Sequence, residues 1–590
     1  MAGVASAPQL AVIRERRQRD LMPGVMLGVV IAVSALVLVI AGVVVWLSFY
    51  SALPGVAELT FTLQNYVRVF TRPETYAILW NTVVFAGTAV TVASLFGIPA
   101  AWLVERTDLP GKPAVFTAMT IGLLIPNFTV AMGWIFLTQP RIGILNRWAM
   151  DLFALGEAPF DIATIWGMGW VEGLALTPLT FVMIASLFRL MDPALEEASY
   201  TAGANPRATM LRITLPLIWP GVVAALLYTF IVGFASFDVP AIIGWTKRIF
   251  TFSTLMYFFT NPTVELPRYG QAAALAAAMI PIAIAMSVWY GRVQRHAQRY
   301  QVVTGRGYRP RQFRLGNKVW LAWGFLALYL FLGQAIPLLA LVWSSLLAFF
   351  RPPSLAALQA MSFANFEGLP WILVKEGMRN TALLVLVTPT IVIALSLAFS
   401  WVVVRSKIRW RQVFDFFAFL PHAVPSIIFG IGALLIALFV LRDVVPIYGT
   451  IWLILITYLI IRLSYGTRVM NGALLQIHRE LEEAASVAGA GMWQAFRAVM
   501  LPILTPAMMY AWLWIALLTY RELTLATLLA GEDNTTMAAV VWGLWQTGGM
   551  GRASALTVII LGLLTPLLAL YWFVSRRANA MARQSGGAAG

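Results

Sequence analysis

Leu195-Glu196-Glu197-Ala198-Ser199, followed by Gly203, Leu215-Pro216 and Pro220, returns in the same chain as Leu481-Glu482-Glu483-Ala484-Ala485, followed by Gly489, Leu501-Pro502 and Pro506. The offset is 286 residues throughout, no gap is needed, and ten of the 26 aligned positions are identical. Upstream, Asn81-Thr82 and Trp102 return as Asn380-Thr381 and Trp401 at an offset of 299. The difference of 13 is taken up by a longer connection near 138–163 in the first copy. Such self-similarity means two copies of one structural unit.

The unit is apolar. Of 590 residues, 60% are hydrophobic and 11% charged, with 41 Lys and Arg against 25 Asp and Glu, a net charge of +16. In a soluble domain roughly a quarter of the residues are charged. This chain lacks the side chains to coat a water-facing surface and reads as a polytopic membrane protein. With no cysteine, disulfides, thiolate metal sites and cysteine nucleophiles are excluded. His296, His422 and His478 are far apart, which argues against a zinc or haem centre. Lys112, Lys247, Lys318, Lys375 and Lys407 are all followed by residues other than the Ser or Thr that a phosphate-cradling loop needs for magnesium. If ATP drives this protein, another chain hydrolyses it. No Ser/His/Asp grouping marks an enzyme either.

A bilayer core of about 30 Å takes roughly 20 apolar residues per helix. Twelve stretches qualify: 24–50, 80–104, 115–137, 164–188, 217–246, 269–291, 319–347, 379–404, 413–440, 449–470, 503–530 and 552–575. The fourth, which holds Glu172 and several glycines, is the least clean. The expected fold is therefore an all-α polytopic membrane protein of about twelve transmembrane helices in two parallel six-helix repeats. Its parts are a cytoplasmic arm at 1–23, a first repeat at 24–291, a basic linker at 292–318, a second repeat at 319–575 and a tail at 576–590. With the N-terminus in the cytoplasm, 27 basic residues fall inside, 12 outside and two, Arg462 and Arg521, within spans. That asymmetry places both termini in the cytoplasm. Basic clusters without aromatic interleaving or a folded basic domain give no reason to expect nucleic acid as a partner.

The repeated loop lies on the cytoplasmic side in this orientation. Asp192 is suited to cap a helix and Pro193 to its first turn. The helix runs on to Gly203, the residue type best able to take the left-handed turn that ends one. Asn205-Pro206 supplies a second cap and first turn, and Leu215-Pro216 leads into the membrane. Ala198, Ser199 and Ala202, like Ala484, Ala485 and Ala488, keep one side of the first helix slim enough for another surface to approach. One copy would pass for an ordinary connection; two copies of equal length weaken that reading.

Glu-Ala-Ala, three residues, Gly, nine residues and Ile-x-Leu-Pro is similar to the motif of permease subunits in binding-protein-dependent (type I, MetI-like) ABC importers. Here it stands as Glu197-Ala198-Ser199, Gly203, Ile213-Thr214-Leu215-Pro216 and as Glu483-Ala484-Ala485, Gly489, Val499-Met500-Leu501-Pro502; Ser199 and Val499 are conservative departures. The resemblance spans both halves, from about 60 to 575. It implies that each loop forms a coupling helix in a groove of a cytoplasmic ABC ATPase homodimer, which carries the ATP and magnesium; this chain binds no cofactor of its own. It also implies a periplasmic substrate-binding protein as partner and the bacterial inner membrane as location. Arg106-Thr107-Asp108-Leu109-Pro110-Gly111, Ile477-His478-Arg479-Glu480 and Arg521-Glu522-Leu523 ahead of Ala526-Thr527-Leu528-Leu529 look most like the ferric-iron transport permeases. Thiamine, aminoalkylphosphonate and polyamine systems are related alternatives. A 6+6 secondary transporter is the rival outside the class, but a proton-driven carrier has no need of a duplicated docking loop.

Charge within a span is costly and marks a functional candidate. Asp238 and Glu522 follow the two loops, two positions out of register at the 286 offset, so they are analogous rather than equivalent. Carboxylates facing the seam between halves suit a cation in transit, hard Fe³⁺ favouring oxygen ligands. In the plainer reading Arg521 pairs with an acid and these groups stabilise helix packing. No set of residues reads as a metal cage.

Overall fold

The structure, a computed structural model, describes residues 21–51, 59–191, 194–262, 265–298 and 313–587. Most of the arm 1–23, the centre of the basic linker, and the expected cap Asp192 with Pro193 lie outside the described residues.

The first half contains α1 (Met22–Ser48), α2 (Pro73–Arg106), α3 (Lys112–Gly122), α4 (Asn127–Thr138), α5 (Ile165–Leu190), α6 (Ala194–Thr201), α7 (Leu215–Ala235), α8 (Phe252–Thr260) and α9 (Tyr269–Gln298). The second repeats the order as α10 (Gly316–Ser345), α11 (Trp371–Ser400), α12 (Arg411–Ala423), α13 (Ser426–Leu435), α14 (Ile451–Leu475), α15 (Glu480–Val487), α16 (Leu501–Tyr520), α17 (Met537–Gln546) and α18 (Met550–Gly587). Ten helices are long and apolar enough to cross a membrane, twelve if each bent pair counts as one span. All twelve expected stretches are thus helical, in two six-span repeats.

Two expected spans are broken. The stretch 115–137 turns by 92° between α3 and α4, and 413–440 by 100° between α12 and α13. Each second segment starts after a proline in extended conformation, Pro126 (ψ 133°) and Pro425 (ψ 132°), which occupy equivalent positions at the 299 offset. Proline lacks the N–H that would continue the helix and disfavours helical geometry in the residue before it. Two further spans are shorter than expected. The stretch 217–246 breaks after Ala235 and resumes as a short helical segment that Asp238 opens, and 503–530 stops at Tyr520, so Asp238 and Glu522 flank helix breaks rather than lying within continuous helices. In the first case Pro240 has no N–H to offer the Ser236 carbonyl, which removes one of the hydrogen bonds that would carry the helix across the break.

The core of each half is the pairing of α2 with α5 and of α11 with α14. The halves interlock through their first helices. α1 packs on its own α9 and on α13 of the other half, while α10 packs on its own α18 and on α4 of the other half. Glycines permit both crossings: a Cβ at Gly432 would stand 2.8 Å from the carbonyl oxygen of Ile40, and one at the equivalent Gly133 would collide with the Pro337 backbone. Small residues of this kind let membrane helices approach closely.

The repeat extends to single hydrogen bonds. Thr82 Oγ1 accepts from Phe252 N (2.8 Å) at the start of α8, and Thr381 Oγ1 accepts from Met537 N (3.1 Å) at the start of α17. Asn65 donates to the carbonyls of Ser48 and Tyr50 (3.0 and 2.8 Å), as Asn365 does to those of Ser345 and Leu347 (3.2 and 2.7 Å). Equal anchors in both copies satisfy the backbone groups that helix ends leave over.

Candidate functional site

Two places bring together the residues that the sequence singled out: the pair of docking loops, and a cavity on the seam between the halves.

In the first loop α6 closes at Gly203, whose φ is +82°; Gly203 N–H donates to Tyr200 O and Ala204 N–H to Ser199 O, both at 3.0 Å. In the second, α15 is followed by Gly489 at φ +83°, with Gly489 N–H on Ser486 O and Ala490 N–H on Ala485 O, again at 3.0 Å. These are matched Schellman closures, which need the left-handed conformation at the glycine. Asn205 then caps the short helix that follows, its Oδ1 accepting from Ala208 N–H at 2.7 Å. Leu215-Pro216 and Leu501-Pro502 open α7 and α16.

Within the motif, Glu197, Ala198, Glu483 and Ala485 are not the anchored positions: Glu197, Ala198 and Glu483 are exposed, whereas the preceding Glu196 is buried. Arg106, the last residue of α2, grips Glu196 (Nη1 to Oε2, 3.2 Å), and Arg405, the equivalent residue just past α11, grips Glu482 (Nε to Oε1, 2.9 Å). Each arginine also donates to a helix-end carbonyl, Arg106 to Phe188 (3.1 Å) and Arg405 to Leu474 (3.1 Å) and Ile477 (2.7 Å). Phe188 and Leu474 are themselves 286 residues apart. Arg106 holds its carboxylate by a hydrogen bond and Arg405 meets Glu482 as an ion pair without hydrogen-bond geometry; with the carbonyl contacts, each guanidinium is held at more than one point. Each docking helix is therefore fastened to the end of a long membrane helix. Ser199 adds a contact to Thr209 Oγ1 at 2.9 Å in the first loop. The sequence gives Arg106 and Arg405 no visible link to the loops, although they share the 299 offset of Asn81 and Asn380.

The cavity has a volume of about 220 Å³ and draws its lining from both halves. Asp238, Arg521 and Glu522 all face it, together with Glu172 of α5, Arg462 of α14, and Tyr228, His422 and Tyr465. Arg462, not Arg521, pairs with Glu522, and it also donates to the Leu518 carbonyl at 2.8 Å. This corrects the expected pairing. Arg521 instead reaches across the seam to the carbonyl of Leu123, at the break between α3 and α4. That carbonyl is free to accept because the helix has ended there. Glu522 also accepts from Leu525 N–H at 3.3 Å. Asp238 accepts from the Thr524 hydroxyl at 3.4 Å, again across the seam. His422 sits among Tyr228, Phe419 and Tyr465, with ring centroids at 5.5, 5.5 and 5.1 Å.

Among the described residues no three His, Asp or Glu side chains are grouped so as to hold a metal ion. The site is a charged chamber on the seam between the halves, with bends and helix ends on its walls. Discontinuous helices at a repeat interface are how membrane proteins expose backbone groups to cargo.

The family model described as a binding-protein-dependent transport system inner membrane component matches residues 93–299 and 390–580. The Fe(3+)-transport system permease protein FbpB 2 of Haemophilus influenzae is 22% identical over 511 residues, covering 86% of this chain and 91% of that protein. The ferric transport system permease protein FbpB of Actinobacillus pleuropneumoniae is 23% identical over 535 residues, 87% of this chain and 74% of that one. The putrescine transport system permease protein PotI of Escherichia coli is 27% identical over 181 residues, 29% of this chain and 62% of its own.

Proposed function

This chain belongs to the family of binding-protein-dependent transport system inner membrane components, and from that premise we propose that it is the fused permease of an importer for ferric iron, coupled to a separate ATPase through its two docking loops. It is a multi-pass inner-membrane permease of the ABC importer class. The observation that carries the coupling role is the duplicated loop, tied in each half by an arginine at the end of a membrane helix, Arg106 to Glu196 and Arg405 to Glu482. A surface that receives force from another chain needs a stiff helix, a defined stop and a rigid link to the spans. Both loops have all three, and the slim faces formed by Ala198 and Ser199 and by Ala484 and Ala485 are left for the partner.

In this reading the ATPase is a homodimer in the cytoplasm, one copy per loop, and it holds the ATP and magnesium. Both chain termini lie on that same side, in keeping with the basic-residue asymmetry. A periplasmic binding protein delivers the cargo to the opposite face. Closure of the ATPase pulls on α6 and α15, the arginine ties carry the motion to α2 and α11, and the seam opens alternately to each side. Asp238, Arg521 and Glu522 line the way through.

Iron as cargo is supported by the two ferric-system relatives, which match this chain over most of its length. The shorter likeness to a putrescine permease keeps an organic cation as the second reading. Both cargoes are cationic. The test is to express the chain with its neighbouring genes, capture the periplasmic protein that stimulates ATP hydrolysis, and analyse its ligand. Near-stoichiometric iron upholds the ferric reading. An organic ligand without iron keeps the importer and removes the metal. If no protein stimulates hydrolysis, the coupled importer is wrong and a 6+6 carrier takes its place.

A further inference from the structure

Glu172 is fully buried in α5, and neither of its carboxylate oxygens has a hydrogen-bond partner. It lines the seam cavity beside Ser236. Such a group is expensive: an uncompensated buried charge costs several kcal/mol, and each unmet polar atom adds to it. The usual explanation is that packing requires the residue. The repeat excludes that explanation here.

Position 172 corresponds to Tyr458 in the second half, which is fully buried on the equivalent helix, α14. The other charges follow the same rule. Asp238 corresponds to Thr524, Glu522 to Ser236, Arg462 to Leu176 and Arg521 to Ala235, all at 286 residues. Each backbone position therefore folds with a neutral side chain in one half and a charged one in the other. The scaffold is symmetric and the charge is not, so the charge serves something that the shared fold alone does not require.

Its distribution says what. On the second-half wall, Glu522 is paired with Arg462, and Arg521 donates to the Leu123 carbonyl. On the first-half wall, Glu172 and Asp238 have no ion-pair partner among the described residues; Asp238 has one hydrogen bond from Thr524. Two carboxylates outside any ion pair, with the Arg521 guanidinium nearby, line a polar chamber of about 220 Å³. Six waters occupy roughly 180 Å³ at their share of liquid volume. The chamber thus has room for an ion with its first water shell. The wall has too few converging ligands to strip that shell, since no three-carboxylate or histidine group is present among the described residues.

We propose that Glu172 and Asp238 form an outer-sphere way-station for a hydrated multivalent cation, which they hold through its water shell on the first-half wall of the seam cavity. Glu172 is the principal contact, because neither of its oxygens makes a well-formed hydrogen bond within the protein. Loose holding suits passage: a cargo met through water leaves again, whereas a caged one stays. This proposal rests on the importer reading for its cargo, but its test does not.

The probe is hexaamminecobalt(III), a trivalent ion the size of a hydrated metal cation whose ammine shell does not exchange, so only outer-sphere holding registers. The full-length permease in a neutral detergent is titrated with it by calorimetry, with Glu157→Gln on an exposed outer segment as control. We expect saturable binding to the unmodified chain and to the control, and at least ten-fold weaker binding to Glu172→Gln. Asp238→Asn should be weakened as well, and Glu172→Asp should lose only a few-fold. If Glu172→Gln binds as the unmodified chain does, the carboxylate is not the contact and the proposal is wrong. If that variant does not fold, Asp238→Asn decides on the same criterion. A chain that binds the probe in a Glu172-dependent way while its importer carries no iron keeps the way-station and loses the ferric cargo. An importer that carries iron at full rate with Glu172→Gln keeps the cargo and loses the way-station.

Discussion

Thr524 donates a hydrogen bond to Asp238 at 3.4 Å, and the two residues occupy the same position in the two halves of the chain, 286 residues apart. The seam therefore passes between equivalent points, and a contact across it joins like to unlike. The bond is long, and a long hydrogen bond contributes little. What matters at Asp238 is its charge. Asp238→Asn should lower iron uptake in proteoliposomes at least ten-fold, whereas Thr524→Val should change it by less than about three-fold. Equal losses from both would mean that the contact, not the charge, is the working feature.

The Arg462–Glu522 pair is buried, with side chains 8% and 12% exposed. Arg462→Gln leaves Glu522 without its counter-ion, a change that costs about 3–5 kcal/mol in buried pairs. Replacing both partners by Gln removes the stranded charge. We expect the single variant to melt well below the parent in detergent and the double variant to recover more than half of the difference. A double variant no better than the single one would show that Arg462 matters through its bond to the Leu518 carbonyl instead.

At the docking loops the arginine tie separates stability from coupling. Arg405→Gln frees Glu482 while leaving α15 and its glycine closure intact. Transport per ATP hydrolysed should fall at least five-fold, because one of the two loops no longer moves α11. Arg106→Gln should act alike through Glu196, and Arg405→Lys should rescue only in part, since an ammonium cannot hold carboxylate and carbonyls in one planar fork. An unchanged transport-to-hydrolysis ratio in both Gln variants would show that the ties are merely structural.

Much of this was legible in the sequence, and the failures have physical causes. The repeat, the twelve stretches and the docking loops follow from hydropathy and from a gapless match at 286. The bends did not emerge because a hydropathy window is blind to one proline, although Pro126 and Pro425 stand at the 299 offset. The arginine ties were hidden because their two ends lie in different registers: the arginines repeat at 299 and the glutamates at 286. The motif points to Glu197 and Glu483, while the structure anchors Glu196 and Glu482 beside them. In the cavity, Asp238 and Glu522 stood out as charges in apolar stretches. Glu172 looked like a blemish in a weak span, and only three-dimensional packing shows that its oxygens have no partner.

Gly203 and Gly489 provide the cleanest separation of backbone from side-chain effects. A Cβ at either would meet nothing within 4 Å, so a substitution there is resisted by the backbone alone. Their φ values of +82° and +83° lie in the left-handed region, which costs most residues about 1–2 kcal/mol and asparagine less. Valine, branched at Cβ, should shift the stop of the docking helix and uncouple transport from hydrolysis, lowering their ratio several-fold in either single variant. Asparagine at the same sites should keep most of the coupling. The comparison is made on the assembled importer, by uptake and phosphate release in the same proteoliposomes. If Gly203→Val and Gly489→Val both transport at the parental ratio, the helix stop plays no part in passing force to the membrane. If Asn is as damaging as Val, the loops need the bare glycine surface itself, which would place the ATPase contact directly on it.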